Sequence, residues 1–186
     1  MKKTKSSTGW KNVSTATSEG RSEIKPAATL IFTWGNPSRG DDAIGPEIYQ
    51  QLKKQELENV ELQTDFQLQI EHVIDLEKRE RVLFIDASVS ASAPFEFYPI
   101  HADEDESYTT HAMSPQSLLA VYEKVNKQSP PPCYLLSVRG YEFDLGLPLS
   151  SRANDNIDEA NTFIREELLS RNTQDWQQLI TRIKHQ

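Results

Sequence analysis

The sequence predicts an α/β fold: a doubly wound, mostly parallel, twisted sheet of about five strands, flanked by helices on both faces. Three observations carry this reading. Strand-like and helix-like segments alternate from residue 28 onward. The run Arg81-Val82-Leu83-Phe84-Ile85-Asp86 is continuously apolar between its charged ends, as strands covered on both faces are. Residues 27–186 also form a body long enough to bury roughly 68–70% of the surface its unfolded chain exposes.

The elements follow in order. Thr29-Leu30-Ile31-Phe32-Thr33-Trp34 is β-branched and aromatic and ends abruptly in Gly35-Asn36-Pro37, so it reads as a buried first strand. After the loop Ser38-Arg39-Gly40-Asp41-Asp42, Ile44, Ile48 and Leu52 recur every four residues. Pro46 suits a first helical turn, and Lys53 and Lys54 suit the far end. Val60-Glu61-Leu62 is a short strand. Ile70, Val73, Ile74 and Glu77 then mark a short amphipathic helix before the strand at residues 81–86. Phe95 to Ile100 reads as another strand, antiparallel because the connection from Asp86 is too short for a crossover helix.

Ser114-Pro115 places a cap and a proline at a helix start, with Leu118, Leu119, Tyr122 and Val125 on one apolar face. Tyr134 to Val138 supplies a further strand. Ile157, Ala160, Ile164 and Leu168 continue a helix, and Trp176, Leu179, Ile180 and Ile183 define a last one. The last helix has two destinations: packing back on the body or contacting a partner.

Charge is unevenly distributed. The formal net charge is −8, but residues 1–26 hold six basic and two acidic side chains, which leaves −12 for the remainder. An acidic body disfavours nucleic acid as a partner. Residues 1–26 are rich in Ser, Thr and Lys and poor in apolar side chains, so they read as a disordered basic tail ahead of a single domain at 27–186. They lack the apolar stretch of a secretory signal, and no run approaches the ~20 residues that span a bilayer. The lone Cys133 has no disulfide partner in the chain, which fits a reducing cytoplasm.

In open α/β sheets ligands sit beyond the carboxyl ends of the strands. Three chemistry-bearing residues fall there: Asp42 after the first strand, Asp86 at the end of the 81–86 strand, and His111 before the Ser114 helix. Two carboxylates and an imidazole suit a borderline divalent ion such as Ni²⁺ or Zn²⁺, with coordination positions left open for a partner's ligands. The plainer reading stands beside it. An aspartate after a strand commonly caps the next helix, and a histidine in a Ser/Thr loop is commonly solvated. Asp41 could cap the following helix with Asp42 turned to solvent, and Gly35 and Gly40 could simply allow a turn with positive φ. Nucleotide-binding glycine loops, a nucleophile elbow and a zinc-protease helix motif are all missing from the sequence.

Four segments resemble, in order, the motifs of the hydrogenase maturation endopeptidases, which trim the C-terminus of the nickel-iron hydrogenase large subunit. They are the run from Gly35-Asn36-Pro37-Ser38-Arg39-Gly40-Asp41-Asp42 to Pro46, Val82 to Ala87, His111 to Pro115, and Ser137-Val138-Arg139-Gly140 through Asp144-Leu145-Gly146-Leu147. The likeness covers about residues 28 to 170. It implies that Asp42, Asp86 and His111 contact a nickel ion supplied by the substrate precursor. It also implies that the partner is that precursor and the reaction removal of its C-terminal extension.

Two departures accompany the resemblance. Asp42 stands where the family often has Glu, and Thr64-Asp65-Phe66-Gln67-Leu68-Gln69 stands where many members have an Asp-Gly-Gly-Thr turn. Asp65 is then a substitute for the usual turn aspartate, and Gln67 or Gln69 could offer amides to a bound peptide. For activating water the candidates are Asp41, Asp65 and a metal-bound hydroxide. Two rival functions share these residues: a metallohydrolase that carries its own divalent ion, and a non-catalytic nickel-checkpoint or docking protein.

Overall fold

The computed structural model describes residues 27–103 and 113–183; the proposed tail at 1–26 and His111 lie outside the described residues. Five strands form one sheet: β1 (Thr29–Trp34), β2 (Val60–Asp65), β3 (Arg81–Ser88), β4 (Phe95–Ile100) and β5 (Cys133–Arg139). Their spatial order is β2-β1-β3-β5-β4. All pairings are parallel except that of β4, which runs antiparallel along the edge of β5. The short connection from β3 to β4 therefore has the consequence expected of it.

Alternation along each strand sorts the side chains into two apolar layers. Ile31, Leu83, Ile85, Tyr134 and Leu136 face α1 (Ile44–Lys53), α3 (Ser151–Phe163) and α4 (Thr173–Ile183). Leu30, Phe32, Val82, Phe84 and Leu135 face the opposite way, toward α2 (Pro115–Asn126) and a 3₁₀ helix at Ile70–Leu76. Helices thus cover both faces of the sheet, as the unbroken apolar character of residues 82–85 requires.

Two helical faces differ from the periodicity expected of them. The segment after β2 is 3₁₀ rather than α-helical, which aligns Val73 with Leu76, three residues on, and both turn inward; Ile74 falls off that face and stands exposed, as does Ile70 at the first position. In α2, Leu118, Leu119 and Tyr122 are buried, but Val125 is exposed in the last turn, where the helix leaves the sheet. The C-terminal helix packs back on the body. Trp176 is fully buried, its indole N–H donates to Leu168 O (2.7 Å), and the Arg81 guanidinium lies 4.6 Å above its ring. Between α3 and α4 the chain makes one π-helical turn at Ile164–Leu168.

The helix starts follow the capping rules. Ser114 Oγ accepts the Ser117 N–H (3.1 Å), and Pro115 fills the first helical position of α2. Ser114→Ala is expected to destabilise the fold by about 1 kcal/mol, read as a lower denaturant midpoint with an unchanged slope. No described helix is long and apolar enough to cross a membrane. Cys133, which the preceding Pro130-Pro131-Pro132 run would suggest lies in a loop, instead opens β5, buried, where loss of solvation pushes its thiol far above the ordinary range. A thiol held neutral in this way is no nucleophile.

Candidate active site

The parallel strands deliver their last residues to one edge of the sheet. Trp34 ends β1, Asp65 ends β2, Asp86 lies near the end of β3 and Ser137 near the end of β5. In register Trp34 stands opposite Asp65, and Asp86 opposite Ser137. Strand alternation aims Trp34, Asp86 and Ser137 toward the α2 face, since each is two residues from a buried side chain of that layer, and Asp65, the register partner of Trp34, points the same way. α2, which packs on that face, begins at Pro115.

Asp42 reaches this edge from the one-turn 3₁₀ helix Gly40–Ala43 that follows β1. Its Oδ2 accepts the Asn36 N–H at 3.1 Å, which fixes the carboxylate across the mouth of the loop. Asp86 is pushed up to about 7: burial is the main cause, and the charge on Asp42 adds to it. Hydrogen bonds from the Ala87 N–H (2.8 Å) and from the Trp34 side chain work in the opposite direction. Two carboxylates from separate crossovers are therefore held close enough to repel each other, with one of them half desolvated.

The structure separates the other two aspartates from this pair. Asp41 is fully buried and points away into the β5–α3 loop. Its Oδ2 accepts the N–H groups of Tyr141 (2.7 Å) and Glu142 (3.0 Å) and the Ser150 hydroxyl (2.9 Å); its Oδ1 accepts the Ser150 N–H (2.7 Å). It does not cap its own helix. Instead it braces Ser150, which caps α3 by accepting the Ala153 N–H (3.2 Å). Burial raises its pKa, but the hydrogen bonds from Ser150, Tyr141 and Glu142 outweigh that and hold the carboxyl below its ordinary value. With four donors already on its oxygens, Asp41 is a structural brace rather than a group that takes a proton from water.

Asp65 sits one strand beyond Trp34, on the sheet's edge strand. Its Oδ2 lies 3.4 Å from His72 Nε2, and its Oδ1 accepts the Phe66 N–H. His72 Nδ1 in turn accepts the Gln69 N–H (3.0 Å), so the imidazole carries its proton on Nε2, toward Asp65. This small network shapes the loop that replaces the Gly-Gly turn and leaves Asp65 partly exposed. Gln69 caps the 3₁₀ helix.

Glycine is required in the β1–α1 loop by close approach. A Cβ on Gly35 would lie 2.0 Å from Asp42 O, and one on Gly40, at φ +54, 2.3 Å from Glu142 O. The motif Gly35 to Asp42 is thus a folded unit whose glycines let its own turn and the β5–α3 loop close around it.

Trp34, Tyr98 and Ser137 belong to the site although periodicity did not single them out. Tyr98 hydrogen-bonds Ser137 and feels the charge of Asp86; burial raises its hydroxyl pKa. Their signal lay in strand register, which requires knowing that β3 neighbours both β1 and β5.

Among the described residues, no three His, Cys, Asp or Glu side chains converge as a complete metal-binding group. Asp42 and Asp86 form an acid pair, and the position of His111 relative to them lies outside the described residues. The pair stands at the edge where open α/β sheets bind ligands, and two carboxylates are a donor set chemically suited to a cation.

Comparison with known structures identifies the fold. The chain resembles the nickel-iron hydrogenase maturation protease HycI from Thermococcus kodakarensis at a TM-score of 0.61 and 18% identity, over 80% of this chain and 96% of that one. It resembles the hydrogenase maturating endopeptidase HybD from E. coli at 0.56 and 18%, over 84% and 92%. A hydrogenase 2 maturation peptidase from a Thaumarchaeota archaeon gives 0.55 and 23%, over 75% and 97%. No family model and no curated protein matches the sequence. The chain shares the fold of the hydrogenase maturation proteases over nearly their whole length.

Proposed function

We propose that this protein is an endopeptidase that removes the C-terminal extension of a nickel-loaded hydrogenase large-subunit precursor. The observation that carries the reading is the Asp42–Asp86 pair, set at the carboxyl edge of a fold shared with maturation proteases. Two carboxylates that repel each other in a partly desolvated site are stabilised by positive charge brought to them. The precursor's own nickel ion supplies that charge. His111, which the family resemblance assigns to the same ion, adds an imidazole donor of the kind nickel accepts.

In this reading the ion is part of the substrate. Its presence reports that metal insertion is complete, and its coordination by Asp42, Asp86 and His111 fixes one peptide bond against the protein. Of the two carboxylates offered for activating water, Asp41 is excluded by its four donors, and Asp65 keeps a partly exposed carboxylate at the adjoining strand end. The protein would work in the cytoplasm, where the lone buried thiol of Cys133 stays reduced.

The test is intact-mass measurement of a purified large-subunit precursor, with and without nickel, after incubation with the protein or with Asp86→Ala. Loss of one C-terminal peptide from the nickel-loaded form alone, and only with the unmodified protein, is the expected result. Tight binding with no change in precursor mass would replace the protease with a docking protein. Cleavage of generic peptides by protein that retains stoichiometric metal would replace it with an ordinary metallohydrolase.

His111→Ala provides a second check. Processing should be lost while the unfolding free energy stays within about 0.5 kcal/mol of the original, as expected of a residue kept for coordination rather than for packing. A collapse of cooperative unfolding would assign His111 a structural role instead.

A further inference from the structure

Seven large apolar side chains are exposed among the described residues, and four of them stand on the loops around the acid pair. Phe66 (64% exposed) follows β2, Val89 (66%) follows β3, and Leu145 (76%) and Leu147 lie in the β5–α3 loop. They come from three separate connections at the carboxyl edge.

These loops are tied to the segment that carries Asp42. The Gly35 N–H donates to Asp65 O (3.1 Å), at the root of the Phe66 loop. The Gly146 N–H donates to Ser38 O (2.8 Å), the Gly40 N–H to Leu147 O (3.0 Å), and Arg39 Nε to Phe143 O (2.8 Å). Arg139, at the end of β5, donates through its guanidinium to the carbonyl of Val89. Residues 144–147 close a β-turn in which the Leu147 N–H donates to Asp144 O (3.3 Å) and Gly146 takes φ +84. That conformation is the type II turn that suits glycine at its third position, and it displays Leu145 at the tip. Exposed leucine on a braced turn is a preorganised contact rather than a loose loop.

We infer that Phe66, Val89, Leu145 and Leu147 form an apolar docking rim for the folded body of the metal-bearing precursor, with Leu145 as its anchor. The inference rests on the proposed function and adds the surface by which the substrate is held. Charge complementarity selects the occupant. The rim loops lie on the same carboxyl edge as the Asp42–Asp86 pair and are bonded to the segment that carries Asp42, so the matching surface carries a cationic centre beside apolar side chains. A second copy of this chain fails that requirement, because two such faces in an isologous contact would bring two acid pairs together. The rim also runs from β2 to β5, three interstrand spacings or about 14 Å, which is wider than a single extended peptide. A folded surface fits that width.

The experiment measures processing of nickel-loaded precursor by the unmodified protein, by Leu145→Ser, by Phe66→Ser/Leu145→Ser, and by Val125→Ser as an equally exposed apolar control at the far end of α2. Leu145→Ser should raise KM about tenfold with kcat unchanged, the double variant should raise it further, and Val125→Ser should change neither. Unchanged KM in both rim variants, with the unmodified protein active, overturns the rim and leaves the protease reading standing. Failure of the unmodified protein to process or bind the precursor overturns that reading, and the rim's occupant with it. Sedimentation is run alongside: a dimer of the unmodified protein that Leu145→Ser converts to monomer assigns the rim to self-association and also overturns the inference.

Discussion

Asp41→Asn is expected to lower the stability of the fold by about 3 kcal/mol, a large part of the 5–15 kcal/mol that holds a typical domain together. The cost comes from geometry. Both carboxylate oxygens receive donors, so an amide in either orientation turns its NH2 toward at least one N–H that then has no acceptor. The brace on Ser150 weakens, and with it the cap of α3.

The same group predicts the acid limb of the stability curve. The folded-state pKa of Asp41 lies below its ordinary value. Its contribution is therefore fully present above the unfolded pKa near 3.8 and is lost as pH falls through the lower folded value. The unmodified protein should lose stability in that window, and Asp41→Asn should lose less there because it has already forfeited the contribution. Chemical denaturation across pH 2.5 to 7 checks both statements. A difference between the two proteins that does not shrink toward low pH would disprove the assignment.

Asp86→Asn should do the reverse. Processing falls by at least about a hundredfold, because a neutral amide removes a negative ligand from the position where the substrate's positive charge is received. Stability in the metal-free protein rises. Burial and the neighbouring Asp42 push the Asp86 carboxyl up to about 7, so ionisation costs the folded state free energy. The sign is opposite to that of Asp41: the favourable contribution is complete below the unfolded pKa and disappears as pH rises through about 7. Asn keeps an oxygen for the Ala87 N–H and the Trp34 side chain. The variant should match the original near pH 4, gain between pH 4 and 7, and hold an advantage of about 4 kcal/mol above pH 8. Thermal unfolding at pH 4.5 and pH 8 distinguishes the outcomes; equal stability at pH 8 would show that Asp86 is not strained. A residue whose removal stabilises the fold and silences the chemistry is serving the chemistry.

Much of this architecture is legible without coordinates. An apolar run from Val82 to Ile85 demands cover on both faces, and Ser114-Pro115 announces a helix start; both depend only on near neighbours in sequence. Where the structure departs, the cause is equally local. Ile74 faces solvent because the segment winds three residues per turn, not 3.6, which pairs Val73 with Leu76 instead, and the apolar spacing alone does not reveal which winding wins.

The site divides along the same line. Asp42 and Asp86 are found by asking which residues lie at strand ends, a question topology answers. Asp41 is different: its partners are Tyr141, Glu142 and Ser150, about a hundred positions away, and nothing in the Asp-Asp pair shows which member turns inward. Trp34 and Tyr98 flank Asp86 only once β3 is known to lie between β1 and β5.

The bond from the Trp34 side chain to Asp86 gives the protein an optical gauge of its own. Trp176 is sealed in the core, so its emission follows unfolding, whereas the indole of Trp34 hydrogen-bonds Asp86, the carboxylate proposed to receive the substrate's charge. With Trp10 replaced by phenylalanine, quenching of the remaining emission by a paramagnetic ion would report arrival at the acid pair in real time, and Trp34→Phe would extinguish that signal. Engagement of the substrate could then be timed separately from the cut that follows it.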